Sequence, residues 1–341
     1  MHKLRPGPPA TTKAQKYQNV LNNPHLVDWF FSFKFEEFLK VVFDGILEAD
    51  WRWHRYEWQS RTSIHAHGCV RLKNDPDLVR LTSLTYKGRQ AEKRLLLEDD
   101  PLKQALLIDI IRIGNESEQI VCNYADTLLT TMNHRLDMLN NPQVPEPHPC
   151  SLNTHEIPIE QLEDDYDQLI NCCQRHVCRV DGYCKSNKQS SNSKCRFGYP
   201  LPLCEKTRIV FDETSKSIKA EIQLKRNDSF MNVHSRLCCH KWRANMDMQL
   251  ILDKLAAIRY IVKYAAKGEK AGSTINEIFR EVAYNANETD DPVTKIRSMV
   301  LKTINGKRDL GQCEVSRLLL SAPLYHSSFA YIKFSLDLNN R

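Results

Sequence analysis

No stretch of this chain approaches the roughly 18 consecutive apolar residues that mark a membrane-spanning helix. No membrane partner is expected from it. The Lys/Pro/Thr-rich start, Met1 to Lys16, has no apolar segment of the kind a secretory signal carries. No G-x-x-x-x-G-K-[ST] pattern occurs, which excludes a P-loop nucleotide site within these residues. No internal repeat is found. What is there is ordinary globular material: 341 residues, 41% hydrophobic and 26% charged. That length corresponds to about two units of ~100–200 residues and can bury a sizeable core. The net charge of +6 is mild, compatible with a polyanionic partner without demonstrating one. Of twelve cysteines, six (Cys172, Cys173, Cys178, Cys184, Cys195, Cys204) crowd into one short segment. Without a secretory signal, reduced thiols holding a metal are the better reading than a disulfide framework.

Along the chain, residues 1–22 read as a flexible leader with Pro6, Pro8 and Pro9. Residues 23–141 read as an aromatic helix over 25–48, a strand hairpin, and one or two long helices over 103–140. In the hairpin, 51–60 and 63–72 both alternate, and the segment 74–77 starts a helix. A proline-rich linker is expected over 142–170, a Cys/His segment over 171–206, and a hairpin with a strong helix (247–267) over 207–281. A helix (312–321) and a strand-like end complete residues 282–341.

Three groups of residues carry chemistry. In the hairpin, His65 and His67 lie two apart on a strand, so both imidazoles share one face. Glu57 and Gln59 share a face on the partner strand, and either can supply a third, oxygen ligand. Two His and one oxygen donor leave open positions on a divalent metal, which is the catalytic rather than the structural pattern. Gly68 permits close backbone approach. An H-x-H pair by itself is also met by chance.

On the helix, Tyr260, Lys263, Tyr264 and Lys267 form a stripe at i, i+3, i+4, i+7, beside an apolar stripe of Leu255, Ile258, Val262 and Ala265. A phenol is a poor nucleophile at neutral pH. Neighbouring positive charge and a polarised electrophile help it, and a phosphate diester suits lysines that neutralise its non-bridging oxygens. A packed boundary with solvated lysines fits the same stripe. In the third group, His176, Cys178, Cys184 and Cys195 offer ligands suited to tetrahedral zinc, with Cys172 and Cys173 as spares. Such a metal would explain how the polar loop 186–194 folds.

Several blocks, in order, resemble one family. Glu57-Trp58-Gln59-x-Arg61-x-x-x-His65-Ala66-His67-Gly68, Cys195-Arg-Phe-Gly-Tyr-Pro200, Trp242-Arg-Ala-Asn245-x-Asp247-x-Gln249 and Tyr260-x-x-Lys263-Tyr264-x-x-Lys267 are similar to motifs of the Helitron transposase Rep domain. Asn23-Pro24 and Arg308-Asp309 with Glu314-Val315 fit the same pattern. That domain, also called the Helitron helicase-like domain, belongs to the HUH endonuclease superfamily with two tyrosines. Thr62 and Ile64 depart from the family's glycine and proline.

The resemblance implies an α+β fold: an HUH-type antiparallel sheet flanked by helices, with a Cys/His zinc-binding insertion and additional helices. It implies Mg2+ or Mn2+ held by His65, His67 and Gln59, with Glu57 as the alternative third ligand. Tyr260 and Tyr264 would be nucleophiles, and Lys263 and Lys267 phosphate-side helpers. The chain would nick and rejoin single-stranded DNA through a phosphotyrosine intermediate, in the nucleus, with a helicase supplied by another chain. The tyrosine helix would lie against the histidine face of the sheet. The family's upstream strand has no counterpart in residues 1–22, which implies an open sheet edge. It also leaves a second reading, a truncated, inactive transposon remnant that binds single-stranded DNA.

Overall fold

The computed structural model describes residues 12–59, 63–137, 144–178, 184, 194–213, 219–265 and 312–330. The chain divides into two compact units. The first comprises Met1–Glu37, Ala49–Arg71 and Ile258–Arg341. The second comprises Phe38–Glu48 and Leu72–Ala257. The described residues are mixed α and β, with small antiparallel sheets and several helices. No described helix is long and apolar enough to cross a membrane.

The first unit is built on a three-stranded sheet in the order β2-β1-β5. Strand β1 runs Ala49–Gln59, β2 Ser63–Leu72 and β5 Tyr325–Ser327. The flexible leader expected over 1–22 is corrected at its end: Lys13–Asn22 is a helix, α1, which starts in a capping box in which Thr12 and Gln15 exchange hydrogen bonds. Helix α2 (Pro24–Phe38) brings Val27, Phe31 and Phe35 onto Tyr56 and Trp58. Ile64 and Ala66 of β2 and Cys313 of α8 (Gln312–Leu319) join the same core. Period-two alternation therefore buries one face of the hairpin and leaves Glu57, His65 and His67 on the other. The edge of β1 away from β2 is not open along its length. Tyr325–Ser327 pairs antiparallel to it, with Trp53 opposite Ser327 and His54 opposite His326. The strand-like end anticipated beyond Phe329 lies outside the described residues.

A buried ion pair holds α8 to α2. Arg317 Nη1 lies 2.9 Å from Asp28 Oδ2, and the two side chains are 3% and 6% exposed. The same guanidinium donates to Ser32 Oγ and the Pro323 carbonyl, and lies 4.0 Å from the centre of the Tyr56 ring.

In the second unit the chain winds more loosely over Leu39–Ile46, where Leu47 N–H reaches back five residues to the Val42 carbonyl. Helices α3 (Leu78–Leu95) and α4 (Pro101–Leu128) form an αα-hairpin. They start at Asp77 and Asp100, whose carboxylates accept first-turn N–H groups. They touch backbone to backbone at Gly88 and Gly114: a Cβ on Gly114 would come within 2.8 Å of Gly88 Cα. Leu78, Leu81, Val121 and Cys122 pack there with Ile209 of β3 (Arg208–Asp212). Strand β3 pairs with β4 (Lys219–Gln223).

Three expectations are corrected in this region. The helix expected to 140 ends at Leu128, because Thr130 pairs with His234 and Thr131 with Arg226 in short extended bridges. The proline-rich stretch is shorter than 142–170: Leu162–Cys173 is a helix, α5, with Tyr166, Leu169 and Ile170 fully buried. The helix expected from 247 begins at Lys254 as α7 (Lys254–Ala265). Leu252 ahead of it is held in the α3/α4 core, and Asp253 accepts the Leu255 N–H at 2.9 Å. Within the tryptophan block only the first two residues serve packing, while Asn245, Asp247 and Gln249 are exposed. Trp242 closes α6 (Arg236–Trp242), and the next residue, Arg243, makes a buried two-pronged pair with Asp165 at 2.6 and 2.7 Å.

Candidate functional sites

The sheet face away from the aromatic core gathers the first candidate site, inside the first unit. Glu57 and His67 sit on neighbouring strands, and His67 Nε2 lies 2.9 Å from Glu57 Oε2. The Tyr260 hydroxyl lies 3.4 Å from His67 Nδ1. A carboxylate, an imidazole and a phenol drawn from two strands and a helix thus meet at hydrogen-bond range. Gly68 makes the strand spacing possible. A Cβ there would lie 2.8 Å from the Trp53 carbonyl oxygen and 3.2 Å from His54 Cβ, both on β1. Only glycine lets β2 approach β1 this closely beside His67.

His65 shares the His67 face but is exposed. The side chains of Gln59, Lys263 and Tyr264, and all of Lys267, lie outside the described residues. On α7, Tyr260 is half-buried, whereas Leu255, Ile258 and Val262 are more than half exposed. The apolar stripe is therefore not the buried side of this helix among the described residues.

The second candidate site lies in the second unit. His176, Cys178, Cys184 and Cys195 bring their ligand atoms within 4.8 Å of one another. His176 Nε2 is 3.1 Å from Cys178 Sγ and 3.5 Å from Cys195 Sγ. A tetrahedral zinc with bonds of about 2.3 Å to sulfur and 2.0 Å to nitrogen needs N···S separations of about 3.5 Å. The donor set suits that ion, and the His176–Cys195 separation matches this value. Burial keeps the His176 pKa below its ordinary value, so the ring is a neutral donor at pH 7. The ring stacks on Tyr199 at 4.4 Å and meets the edge of Phe197 at 5.8 Å. The Cys195-to-Pro200 block thus supplies one thiol and the aromatic wall behind the imidazole. Cys172 and Cys173 lie on α5, outside this group.

Among the described residues one other group gathers three ligand atoms as closely: Glu36, His54 and His326. Neither close group contains His65 or His67. Nothing in the sequence spacing links Glu36, His54 and His326, which come from a helix and two strands, and sequence reading missed them.

The fold and sites define a mixed α/β chain with a His–carboxylate–Tyr constellation on an antiparallel sheet and a separate Cys/His cluster. Residues 4–70 match the family described as "Helitron helicase-like domain at N-terminus". That match covers α1, α2 and most of the β1/β2 hairpin, and likens this segment to that family. No curated protein and no solved structure matches the chain.

Proposed function

We propose that this chain is a Helitron-like Rep endonuclease of the HUH type, which nicks and rejoins single-stranded DNA through a covalent phosphotyrosine intermediate. The observation that carries the reading is the meeting of Tyr260, His67 and Glu57 on one sheet face, in a chain whose residues 4–70 match the Helitron helicase-like family. In this reading His65 and His67, with Gln59 or alternatively Glu57 as the third ligand, would hold Mg2+ or Mn2+. The bound ion supplies polarisation of the scissile phosphate. The Tyr260 oxygen forms a bond to phosphorus and the bond to the 3′ oxygen breaks. The phenolic proton is released and the 3′ oxygen is protonated, leaving a 5′-phosphotyrosine and a free 3′-hydroxyl. Tyr264, one turn on, serves a second cleavage, so strands can be exchanged. Lys263 and Lys267 neutralise phosphate charge. The Cys/His group binds a structural Zn2+. A helicase comes from another chain, and the setting is nuclear.

The test is the full chain with labelled single-stranded DNA of mixed sequence and manganese, run on a denaturing gel. A metal-dependent covalent protein–DNA band that disappears in Tyr260→Phe/Tyr264→Phe supports the reading. A folded chain that binds the strand but gives no band contradicts it, and leaves a non-catalytic single-strand binder.

A further inference from the structure

We propose that Glu36, His54 and His326 form a second transition-metal site, of the His2Glu type and suited to Zn2+, distinct from both the Tyr260 site and the Cys/His group. It does not depend on the endonuclease reading. All three residues belong to the first unit, and their ligand atoms lie within 4.8 Å of one another.

The geometry starts from the register of the sheet. His54 of β1 and His326 of β5 are direct cross-strand partners, so both side chains leave the same face. Their rings stack with centroids 5.1 Å apart and planes 15° apart. Both Nε2 atoms turn to one oxygen of Glu36 on α2: His54 at 3.0 Å and His326 at 3.9 Å from Oε1. The Tyr56 hydroxyl donates to that same oxygen at 3.1 Å, the outer-shell bond that orients a ligating carboxylate.

A separate observation asks for an occupant. His54 is 3% exposed, yet neither of its ring nitrogens has a hydrogen-bond partner. The 3.0 Å approach to Glu36 is an ion-pair distance without the alignment of a hydrogen bond. A buried imidazole that is unsatisfied at both nitrogens is costly. A metal bonded at Nε2 gives it a partner. Three protein ligands leave a fourth position open, and two of them, Glu36 and His326, also line a groove with Trp29, Phe33 and Arg317. The ion would also clip a three-residue strand, β5, to β1 and α2 across more than 270 residues of chain.

The test is zinc content of the full chain after gel filtration, for the parent, Glu36→Gln, His326→Ala and Cys178→Ser. Each of Glu36→Gln and His326→Ala loses one zinc equivalent, and combining either with Cys178→Ser loses a further one. Circular dichroism checks that each variant is folded. As a second readout, added zinc raises the melting midpoint of Cys178→Ser, and that rise disappears in Cys178→Ser/Glu36→Gln. Zinc content that is the same in parent, Glu36→Gln and His326→Ala overturns the proposal. So does a zinc-induced rise that survives Glu36→Gln.

Discussion

Replacing Arg317 by Met tests what holds the C-terminal helix to the sheet unit. The guanidinium faces Asp28 at 2.9 Å, and both side chains are almost fully buried. It also caps the Tyr56 ring and donates to Ser32 and Pro323. Removing one partner of such a pair leaves an uncompensated buried charge, which costs about 3–5 kcal/mol. Burial already pushes the Asp28 carboxyl above its ordinary pKa, and the charge and hydrogen bond of Arg317 oppose that rise. Without Arg317 the folded-state pKa climbs further, so the folded protein takes up a proton more readily than the unfolded one. The stability deficit of Arg317→Met is therefore largest above that raised folded pKa. It shrinks as pH falls through the raised folded pKa toward the ordinary carboxylate value of about 3.9. Asp28→Asn/Arg317→Met has no buried charge, and its loss is smaller than the sum of the single losses. Denaturant titration from pH 7 to pH 4, followed by fluorescence, reads all three. A loss below about 0.5 kcal/mol at pH 7, or one that does not change with pH, refutes the reasoning.

Two other perturbations probe the remaining sites. Gly68→Ala drives a Cβ into the Trp53 carbonyl, forcing β1 and β2 apart beside His67. The expected cost is about 1–3 kcal/mol, with manganese-dependent nicking lost before the fold, as thermal melting and the gel would show. In the second unit, His234 donates from Nδ1 to the Asn232 carbonyl at 2.9 Å, so its Nε2 accepts from the Tyr166 hydroxyl at 2.8 Å. Burial holds His234, and His240 nearby, below the ordinary histidine pKa. Below pH ~6.5 the unfolded rings bind protons that the folded ones resist. Stability therefore falls as pH drops from 7 toward 5, and His234→Gln gives a shallower slope in the same titration.

What the sequence disclosed follows from how locally each feature is encoded. The alternation of residues 51–59 and 63–72 fixes both strands and puts His67 and Glu57 on one face, because period two is a property of neighbouring residues. The spacing His176-x-Cys178 with Cys184 and Cys195 was readable because four ligands, one His and three Cys, crowd into one segment. Helix ends were less readable, since tertiary contacts set them. Thr130 and Thr131 leave the helix to bridge His234 and Arg226, and Leu252 is held by the α3/α4 core. Proline density masked α5, whose Tyr166, Leu169 and Ile170 sit just past the last proline of the stretch. Strand β5 has three residues and no alternation to detect, and the Glu36–His54–His326 group depends on its pairing. Among the described residues, the apolar stripe of α7 follows the helical period but is not its buried side.

The central claim is that Tyr260, beside His67 and Glu57, is a nucleophile toward single-stranded DNA. The direct measurement is peptide mass spectrometry of the trapped protein–DNA adduct after nuclease trimming. A nucleotide remnant on the α7 peptide at Tyr260, absent without divalent metal, is the predicted result. An adduct confined to a residue outside α7, or one formed equally by Tyr260→Phe and in the presence of chelator, would contradict the account.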